Sequence, residues 1–404
     1  MTKSELNKAL SCLSLSACLG LNSVSANELD DFFPKKELKP VVSGVLSSAF
    51  NRIDFSLGNT DDLHDHWLRL ESDYTFNGIN WVSHLEARHF RASSEDALLL
   101  GQKTEVTDRY FDLTAQGQDQ RESWSAMVDW FYAQTDLEKG KLTVGRFPIT
   151  QSYGKIWSIA DHFAPFSFFD LDRLYKQGVD ATKLDSYLTS QLTLQHVLSL
   201  GRDEDKQRSV HFLQSWQWQG QDQQAMLNVA KRNEQSMLTF SFQKNNVFLG
   251  GDVYTELLLG YLTDYEESLW NRDYYNRAVI GLLMKVGDKS FLNVEAFNQN
   301  LTKGRTPQEN QILMAQSQLT NMGLGNRYLA ASITSEFSPL WQYELLTLSN
   351  LVDKSLSVSG LLKYSVRPDT ELRFSASVSG QTGEQSAEFN LYPEVFQLSV
   401  YFYF

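Results

Sequence analysis

The sequence predicts an all-β protein, a transmembrane antiparallel up-and-down β-barrel of about eighteen strands, with sixteen as the alternative. Three observations predict it. Apolar and polar residues alternate with a period of two along many segments of about ten residues, as in strands that face two different environments. Tight turns alternate with long connectors along the chain, and the last strand ends on Phe404 in register with its apolar face.

The N-terminus has the three zones of a secretory signal peptide. Lys3 and Lys8 lie in a short charged region, an apolar stretch follows from Ala9 to Leu21, and small residues lead to Ala26. We expect cleavage near Ala26. An amphipathic first helix of the mature protein is the alternative, but the sequence disfavours it because the apolar stretch is too short to cross a bilayer.

Both cysteines, Cys12 and Cys18, lie inside this segment, so a chain cleaved at Ala26 has none. Such an absence favours an exported protein over a cytosolic one. The four residues that end at Cys18 also resemble a lipoprotein cleavage site, and the sequence leaves open whether Cys18 is lipidated. The predicted organisation is a signal peptide at 1–26, a periplasmic leader at 27–40 and an outer-membrane barrel at 41–404.

Composition narrows the class of protein further. The formal net charge is -13, which disfavours nucleic acid as a partner because the field repels phosphates. Mean hydropathy is -0.35, and no run of 18 apolar residues follows the signal, so strands rather than helices must cross the membrane. Aromatic residues make up 13% of the chain, as expected for a barrel with aromatic girdles at the two interfaces.

The first clear hairpin lies on either side of Asn77-Gly78. In the strand before this turn and in the strand after it, polar residues alternate with apolar ones, and Asn-Gly between such strands is a strong hairpin signal. The same pattern recurs around Gly287-Asp288-Lys289 and on either side of Arg367-Pro368-Asp369. We expect the polar faces of the first and last of these hairpins to line the lumen with Arg69, Glu71, Asp73, His84, Glu86, Arg88, Lys363, Glu371 and Arg373.

The same criteria, applied along the chain, predict eighteen strands, near 44–56, 66–76, 79–91, 123–134, 141–148, 175–185, 190–199, 208–218, 223–233, 236–244, 247–262, 274–286, 289–298, 326–337, 340–350, 354–366, 369–381 and 394–404. Long connectors near 92–122, 149–174, 263–273, 299–325 and 382–393 alternate with tight turns, one of them at Asn245-Asn246. Short periplasmic turns and long outer loops are typical of outer-membrane barrels, whereas a soluble β-sandwich shares only the alternation. Short outer connectors near Asn233 and Asp353 are why sixteen strands is the alternative.

The last strand places Phe402 and Phe404 on its apolar face. A terminal Phe preceded by alternating apolar residues resembles the C-terminal pattern by which the barrel assembly machinery recognises outer-membrane barrels. We therefore expect Phe402 and Phe404 to form the assembly signal. The alternative is a buried last strand of a soluble sheet, in which a terminal Phe is a coincidence.

The connector near 149–174 carries the most specific motif of the chain. A Gly-Arg strand end at Gly145-Arg146 is followed by Gly154 and Trp157, an Asp-x-Phe-x-Pro-Phe stretch, and Asp-Arg-x-Tyr-Lys-x-Gly-Val-Asp ending at Asp180. These 36 residues resemble a motif of large porin-like outer-membrane proteins of Gram-negative bacteria. The resemblance implies the architecture of eighteen-stranded substrate channels and of the alginate exporter. It indicates that the chain is a barrel more strongly than it indicates which substrate the barrel passes.

Five aromatic residues between Trp157 and Phe169 make this connector unfavourable in water. We expect it to fold into the lumen, to pack on the wall beside Gly178 and Val179, and to narrow the pore. Its charges and those of the nearby wall should then set a field at the constriction. An equally weighted alternative is that Asp172, Arg173 and Lys176 merely fasten the loop. The predicted constriction residues are Arg146, Lys155, Asp161, Asp170, Asp172, Arg173, Lys176, Asp180 and Lys183.

An enzyme is disfavoured, because the seven His residues lie in no recognisable catalytic string. No phosphate loop, dinucleotide fingerprint or haem-attachment motif occurs, so we expect no cofactor. His64 and His66 lie near several Asp residues, but a solvated acidic loop is preferred over a metal site.

The predicted function is a porin-like channel in the cell outer membrane for passive diffusion of small hydrophilic solutes. The alternative is a conduit or scaffold for polymer export that works with periplasmic partners, and a barrel enzyme is the least favoured. Expected partners are outer-membrane lipid and lipopolysaccharide, the barrel assembly machinery and the solutes themselves. The sequence leaves open whether the chain is a monomer or a homotrimer.

Overall fold

The structure is a computed structural model that describes residues 41–54, 60–101, 108–167, 173–202, 208–232, 235–262, 274–300, 322–380 and 387–404. The predicted signal peptide and leader, residues 1–40, lie outside these ranges. No helix among the described residues is long and apolar enough to cross a membrane.

Nineteen strands, one short α-helix and one 3-10 turn form the described part of the chain. The strands are β1 (Val41–Asp54), β2 (Thr60–Phe76), β3 (Ile79–Ala92), β4 (Thr114–Asp119), β5 (Glu122–Leu137), β6 (Gly140–Phe147), β7 (Val179–Tyr187), β8 (Leu192–Arg202), β9 (Arg208–Gln219), β10 (Gln223–Arg232), β11 (Gln235–Phe248), β12 (Gly251–Leu262), β13 (Tyr274–Lys285), β14 (Ser290–Gln299), β15 (Arg327–Ser338), β16 (Trp341–Asn350), β17 (Leu356–Arg367), β18 (Thr370–Gly380) and β19 (Glu394–Tyr403). The helix is α1 (Glu95–Gly101), and the 3-10 turn spans Glu388–Leu391.

Eighteen of these strands close a ring in chain order, from β1, β2, β3 and β5 onward to β19. Antiparallel pairing of β1 with β19, from Val45 opposite Tyr403 to Asp54 opposite Glu394, completes the barrel. The predicted eighteen-strand fold is therefore confirmed. Closure leaves the ring without a first or last edge strand, as a hydrocarbon environment requires.

The connector predicted at 92–122 is wrong in part, because it contains α1 and the additional strand β4. One edge of β5 pairs with β3, whereas its other edge is shared between β4, over residues 122–127, and β6, over residues 131–137. The isolated sequence of β4 is short and polar, and it becomes a strand because β5 offers it a free edge where β6 ends.

The tight turn predicted at Asn245-Asn246 is also displaced. β11 continues to Phe248, its register with β12 shifts between Lys244 and Phe248, and the chain reverses at Leu249-Gly250. Both turn residues have positive φ, 50° and 75°, which is the backbone conformation of a two-residue hairpin turn. Asn245 and Asn246, which the sequence pattern predicted as a turn, instead lie in an irregular, bulge-like part of β11.

The two faces of the wall differ as the alternation predicted. On β11, Leu238 and Phe240 are exposed on the outer face, while Met237, Thr239 and Ser241 between and beside them are buried inside. Outward-facing Leu, Val and Phe residues of most other strands are likewise exposed, which is unfavourable in water and favourable in a bilayer.

Candidate pore constriction

The wall strand β6 ends at Phe147, and the chain then turns into the barrel instead of crossing back directly. Trp157 and Phe163 of this connector are 0% and 1% exposed. The Trp157 ring stacks on Phe297 of β14, with centroids 5.3 Å apart, and lies 5.7 Å from the ring of Tyr328 on β15. We call the described residues of this connector, 148–167 and 173–178, the inward connector.

The expectation that the aromatic residues pack beside Gly178 and Val179 is wrong for Trp157. β14 and β15 lie nearly across the ring from β7, which begins at Val179. The connector is long enough to cross the lumen, and the far wall offers Phe297 and Tyr328 as larger apolar surfaces than Val179 does.

Two glutamates of the far wall hold the inward connector. Glu256 on β12 accepts hydrogen bonds from the backbone N–H groups of Tyr153 (2.5 Å), Gly154 (3.2 Å) and Ala160 (3.1 Å). Ser152 adds its hydroxyl at 2.9 Å. These donors replace water around a carboxylate that is 0% exposed.

Glu295 on β14 holds the next three residues in the same way. Its carboxylate accepts the backbone N–H groups of Lys155 (2.6 Å), Ile156 (2.9 Å) and Trp157 (2.9 Å), and the Tyr254 hydroxyl at 2.5 Å. Neither glutamate was among the predicted site residues. Each is a single polar residue within a predicted strand, and no local pattern distinguishes it.

Gly154 is the glycine that makes this tight path possible. A Cβ atom at Gly154 would lie 2.1 Å from the carbonyl oxygen of Trp157, so no side chain fits without moving the backbone. At the other end of the inward connector, a Cβ at Gly178 would lie 2.4 Å from the carbonyl oxygen of Asp129. Both motif glycines therefore serve close backbone approach.

The second half of the inward connector is fastened by its own cations. The Lys176 ammonium donates to the Asp161 carboxylate and to the carbonyl oxygen of Ile149, and both charged groups are buried. Burial raises the pKa of Asp161, although Lys176 opposes this, and burial lowers the pKa of Lys176. Arg173 donates to the carbonyl oxygens of Lys155, Ile156 and Ser167.

His162 is buried beside this ion pair, with Nε2 3.2 Å from the Thr239 hydroxyl of β11. Burial, reinforced by the positive charges of Arg232, Arg277 and Lys176, lowers its pKa from 6.5 to about 3. The imidazole is therefore neutral at physiological pH and packs as an uncharged group.

Arg146 and Asp180 also fasten a loop. The Arg146 guanidinium binds the Asp180 carboxylate at 2.6 Å and 2.9 Å and donates to the carbonyl oxygen of Phe111 at 2.6 Å. Asp180 accepts the backbone N–H groups of Tyr110 and Phe111 in turn. This pair joins β6 and β7 to the segment that leads into β4. Lys183 pairs with Asp185 at 3.3 Å.

Lys155 is the charged residue of the segment that Glu256 and Glu295 hold, residues 152–160, and it is exposed. Its backbone is held by Glu295, while its ammonium lies 6.0 Å from the centroid of the Tyr254 ring. Asp170 and Asp172, also predicted at the constriction, lie outside the described residues.

The polar residues of the first hairpin are brought together into one network on the interior side of β2, β3 and β5. The Arg69 guanidinium, 0% exposed, contacts Asp129 at 2.7 Å, Glu71 at 3.0 Å and the His84 ring nitrogen at 2.7 Å. It also lies 4.1 Å from the ring centroid of Tyr175, so the inward connector covers it. Burial and the adjacent Glu71 raise the pKa of Tyr175 to about 12.

The other predicted lining residues divide between this network and the wall near the C-terminus. Arg88 binds Glu86 at 2.9 Å, whereas Asp73 is exposed near the turn that follows β2. Arg373 pairs with Glu371 and lies 3.7 Å from the ring centroid of Tyr401. Lys363 is opposite Arg373 in the register of β17 and β18.

A third glutamate ties two further connectors together. Glu388, in the 3-10 turn, accepts the backbone N–H groups of Leu324 (2.8 Å) and Gly325 (3.2 Å) and the amide of Asn350 (2.8 Å). The indole N–H of Trp157 donates to the carbonyl oxygen of Met322 at 3.1 Å. The inward connector and the segment at 322–325 therefore form one apolar cluster with the interior wall, from Phe147 to Leu348. Within the described ranges, no group of three or more His, Cys, Asp or Glu side chains is arranged to hold a metal ion.

No family model matches the sequence, and no curated protein matches it. Several solved structures resemble it in fold. A BenF-like porin from Pseudomonas fluorescens has a TM-score of 0.56 and 11% identity, over 91% of this chain and 98% of that chain. Pseudomonas aeruginosa OccK2 (OpdF) in complex with glucuronate has a TM-score of 0.55 and 10% identity, over 90% and 98%. Pseudomonas aeruginosa OpdK with vanillate has a TM-score of 0.54 and 12% identity, over 90% and 98%. The chain therefore shares the β-barrel fold of these proteins, the BenF-like porin among them.

Proposed function

We propose that this chain is an outer-membrane channel for the passive diffusion of small hydrophilic solutes. The observation that carries the proposal is a closed barrel with an apolar outer face, whose inward connector crosses the lumen and is held at the far wall by Glu256 and Glu295. Such a connector narrows an otherwise wide aqueous barrel.

The interior charges support a channel better than a conduit for an anionic polymer. A polymer exporter of that kind needs a net basic lumen, whereas here Arg69, Arg146 and Arg373 are each paired with carboxylates. Of the solved structures with this fold, one is described in complex with glucuronate and another with vanillate, and both compounds are small carboxylates. Small carboxylates are accordingly the first solutes to test.

The proposal places the narrowest point at the inward connector, with Lys155 at its edge. Asp161, Arg173 and Lys176 keep the connector folded, and Arg146 with Asp180 holds the neighbouring segment at 110–111. In this view most of the predicted constriction residues act through the shape of the passage, and Lys155 acts through its charge.

Purified protein in a planar lipid bilayer tests the proposal. We expect discrete conductance steps, and we expect deletion of residues 158–169 to raise the conductance because it removes residues such as Phe163 that are buried inside the barrel. Heat-dependent mobility on denaturing gels establishes that the deleted protein is still a closed barrel. Absence of channel activity in the folded parent protein would contradict the channel, and an unchanged conductance in the folded deletion variant would contradict the position of the constriction.

A further inference from the structure

Glu256 and Glu295 are buried carboxylates with an unusual set of partners. Both are 0% exposed, and neither forms a salt bridge with a described residue. Instead, six backbone N–H groups of the inward connector and the hydroxyl groups of Ser152 and Tyr254 surround them. A buried charge is tolerated only where such donors replace its water, so the connector and the two glutamates stabilise each other.

The six donors are almost consecutive, which makes the contact specific in register. Glu256 takes Tyr153 and Gly154, Glu295 takes Lys155, Ile156 and Trp157, and the chain then returns to Glu256 at Ala160. A shift of the connector by one residue would break the whole set, because each carboxylate matches particular N–H groups.

This register also determines where a charge is placed. Glu295 holds the backbone of Lys155, and the side chain of Lys155 then extends, exposed, past the Tyr254 ring.

We propose that Glu256 and Glu295 are the positioning residues of the channel, which set the width of the passage and the location of its exposed cation by holding residues 152–160 against β12 and β14. This inference rests on the proposed channel function. The motif of the connector includes neither glutamate, so the motif alone does not assign this role to them.

The test uses Glu256→Gln, Glu295→Gln and the double variant of the full-length protein. Glutamine has nearly the same shape, but it lacks the charge and turns one acceptor into an N–H donor that faces other donors. Glu336→Gln is the matched control, because Glu336 is an exposed strand residue that pairs with Lys289 at 3.7 Å and is remote from the connector. Heat-dependent mobility again reports the closed barrel.

Two readouts are compared in folded protein: single-channel conductance with ion selectivity, and the rate of trypsin cleavage after Lys155, with the site identified by mass spectrometry. We expect the conductance of each single variant to switch between the parent level and a higher level. For the double variant we expect a severalfold higher conductance and cleavage faster by about tenfold or more, from the loss of several hydrogen bonds to charged acceptors. The control should match the parent in both readouts.

The outcomes separate this inference from the proposed function. Parent-like conductance and parent-like protection of Lys155 in the folded double variant would overturn the inference. Faster cleavage with unchanged conductance would also overturn it, because the glutamates would then hold the connector without setting the passage. A parent protein that forms no channel would overturn the proposed function, whereas the cleavage experiment would still show whether the two glutamates hold the connector. If the double variant does not assemble, the single variants give the same comparison.

Discussion

At the scale of single residues, the interior charges act mainly as fasteners. Many charged side chains of the described interior are buried, and a charge without water must find a partner. Arg146 finds Asp180, Lys176 finds Asp161, and Arg69 finds Asp129. The alternative that Arg173 and Lys176 fasten the loop thus has direct contacts in its favour, and Lys155 differs from them because it is an exposed residue.

The exchange Lys155→Glu is therefore expected to change ion selectivity with little effect on folding. It replaces an exposed cation by an anion at the edge of the passage, where a nearby charge is screened less than on an open surface. The permeability ratio of potassium to chloride, measured by reversal potentials in a planar bilayer, should rise severalfold. Lys289→Glu in the turn after β13 is the control and should leave the ratio unchanged. Equal effects of the two exchanges would mean that Lys155 lies outside the passage.

Arg173→Glu is expected to behave differently. Arg173 donates to the backbone carbonyls of the connector, so its loss removes hydrogen bonds as well as a charge. Conductance should increase together with the change in selectivity, whereas Lys155→Glu should change selectivity alone. A purely electrostatic effect at Arg173, with parent-like trypsin protection of Lys155, would show that these hydrogen bonds do not hold the connector.

His162 predicts a dependence of the connector on pH. The pKa of the packed imidazole is about 3, against 6.5 when released, so packing is fully stabilised above pH 6.5 and weakens as the pH falls toward 3. At pH 5 the weakening is about 2 kcal/mol. Openings to a wider level should become more frequent between pH 7.5 and pH 5 in single-channel records.

The variant His162→Gln isolates this effect, because glutamine stays neutral and can still bond to Thr239. The raised pKa of Asp161 acts in the opposite direction, since a buried carboxyl that binds protons more tightly stabilises the packed state in acid. His162→Gln should therefore lose the acid-induced openings. The role of His162 is contradicted if parent and variant respond to acid alike.

At the scale of elements, the inward connector depends on the strands around it. β6 ends at Phe147, and β4 pairs with the part of the β5 edge that β6 leaves unpaired. Because that edge is already paired, the inward connector can cross the lumen. On the far side, β12 and β14 supply Glu256 and Glu295. The path is thus determined by two strand edges and two wall residues that are distant in sequence.

Gly154→Ala tests how tightly this element is packed. A methyl group at this position meets the carbonyl oxygen of Trp157 at 2.1 Å, and relief requires a backbone shift that costs about 1–3 kcal/mol. We expect faster trypsin cleavage after Lys155 and a wider conductance level. Gly360→Ala on β17 is the control, since the nearest atom to its added Cβ is 3.8 Å away. Equal rates of trypsin cleavage after Lys155 in the two variants would show that the backbone of the connector can shift without loosening its contacts.

At the scale of the whole molecule, the barrel is closed by its two terminal strands. Phe404 exchanges two backbone hydrogen bonds with Gly44, at 2.8 Å and 3.0 Å, just beyond the last residue of β19. The ring of Phe404 lies over Gly44, where a Cβ atom would be 2.4 Å from it. Phe402 and Phe404 stack on the outer face, with centroids 6.1 Å apart, so the last residues also contribute to the lipid-facing surface.

Deletion of Phe404, or Phe404→Lys, should lower the amount of assembled barrel while synthesis continues. The deletion removes the closing hydrogen bonds, and the lysine places a cation at the lipid face, which costs about 1–4 kcal/mol depending on depth. The fraction of heat-shifting protein in the membrane, compared with total protein on immunoblots, measures the effect. Phe404→Trp keeps a large aromatic ring and should assemble normally. Normal assembly of the deletion would contradict the role of Phe402 and Phe404 as an assembly signal.

The sequence by itself determined the barrel and the alternation of its faces, and it predicted eighteen strands with sixteen left open. These follow from local patterns, because a strand that separates lipid from a polar interior repeats every two residues and a hairpin turn needs particular residues such as Asn77-Gly78. It also marked the connector after β6 as unusual, since aromatic residues do not stay in water without a partner.

Only the tertiary structure decided which partner the connector meets. Glu256 and Glu295 are separated from the residues that they hold by 96 to 140 positions, and one buried glutamate has the same local sequence pattern as a pore-lining one. The same holds for Arg69, Arg146 and Arg373, which were predicted to face water or the constriction and are buried in ion pairs. Whether an interior charge lines a passage or fastens a loop depends on what the rest of the chain places beside it, and that is decided by closure of the barrel and packing of its lumen.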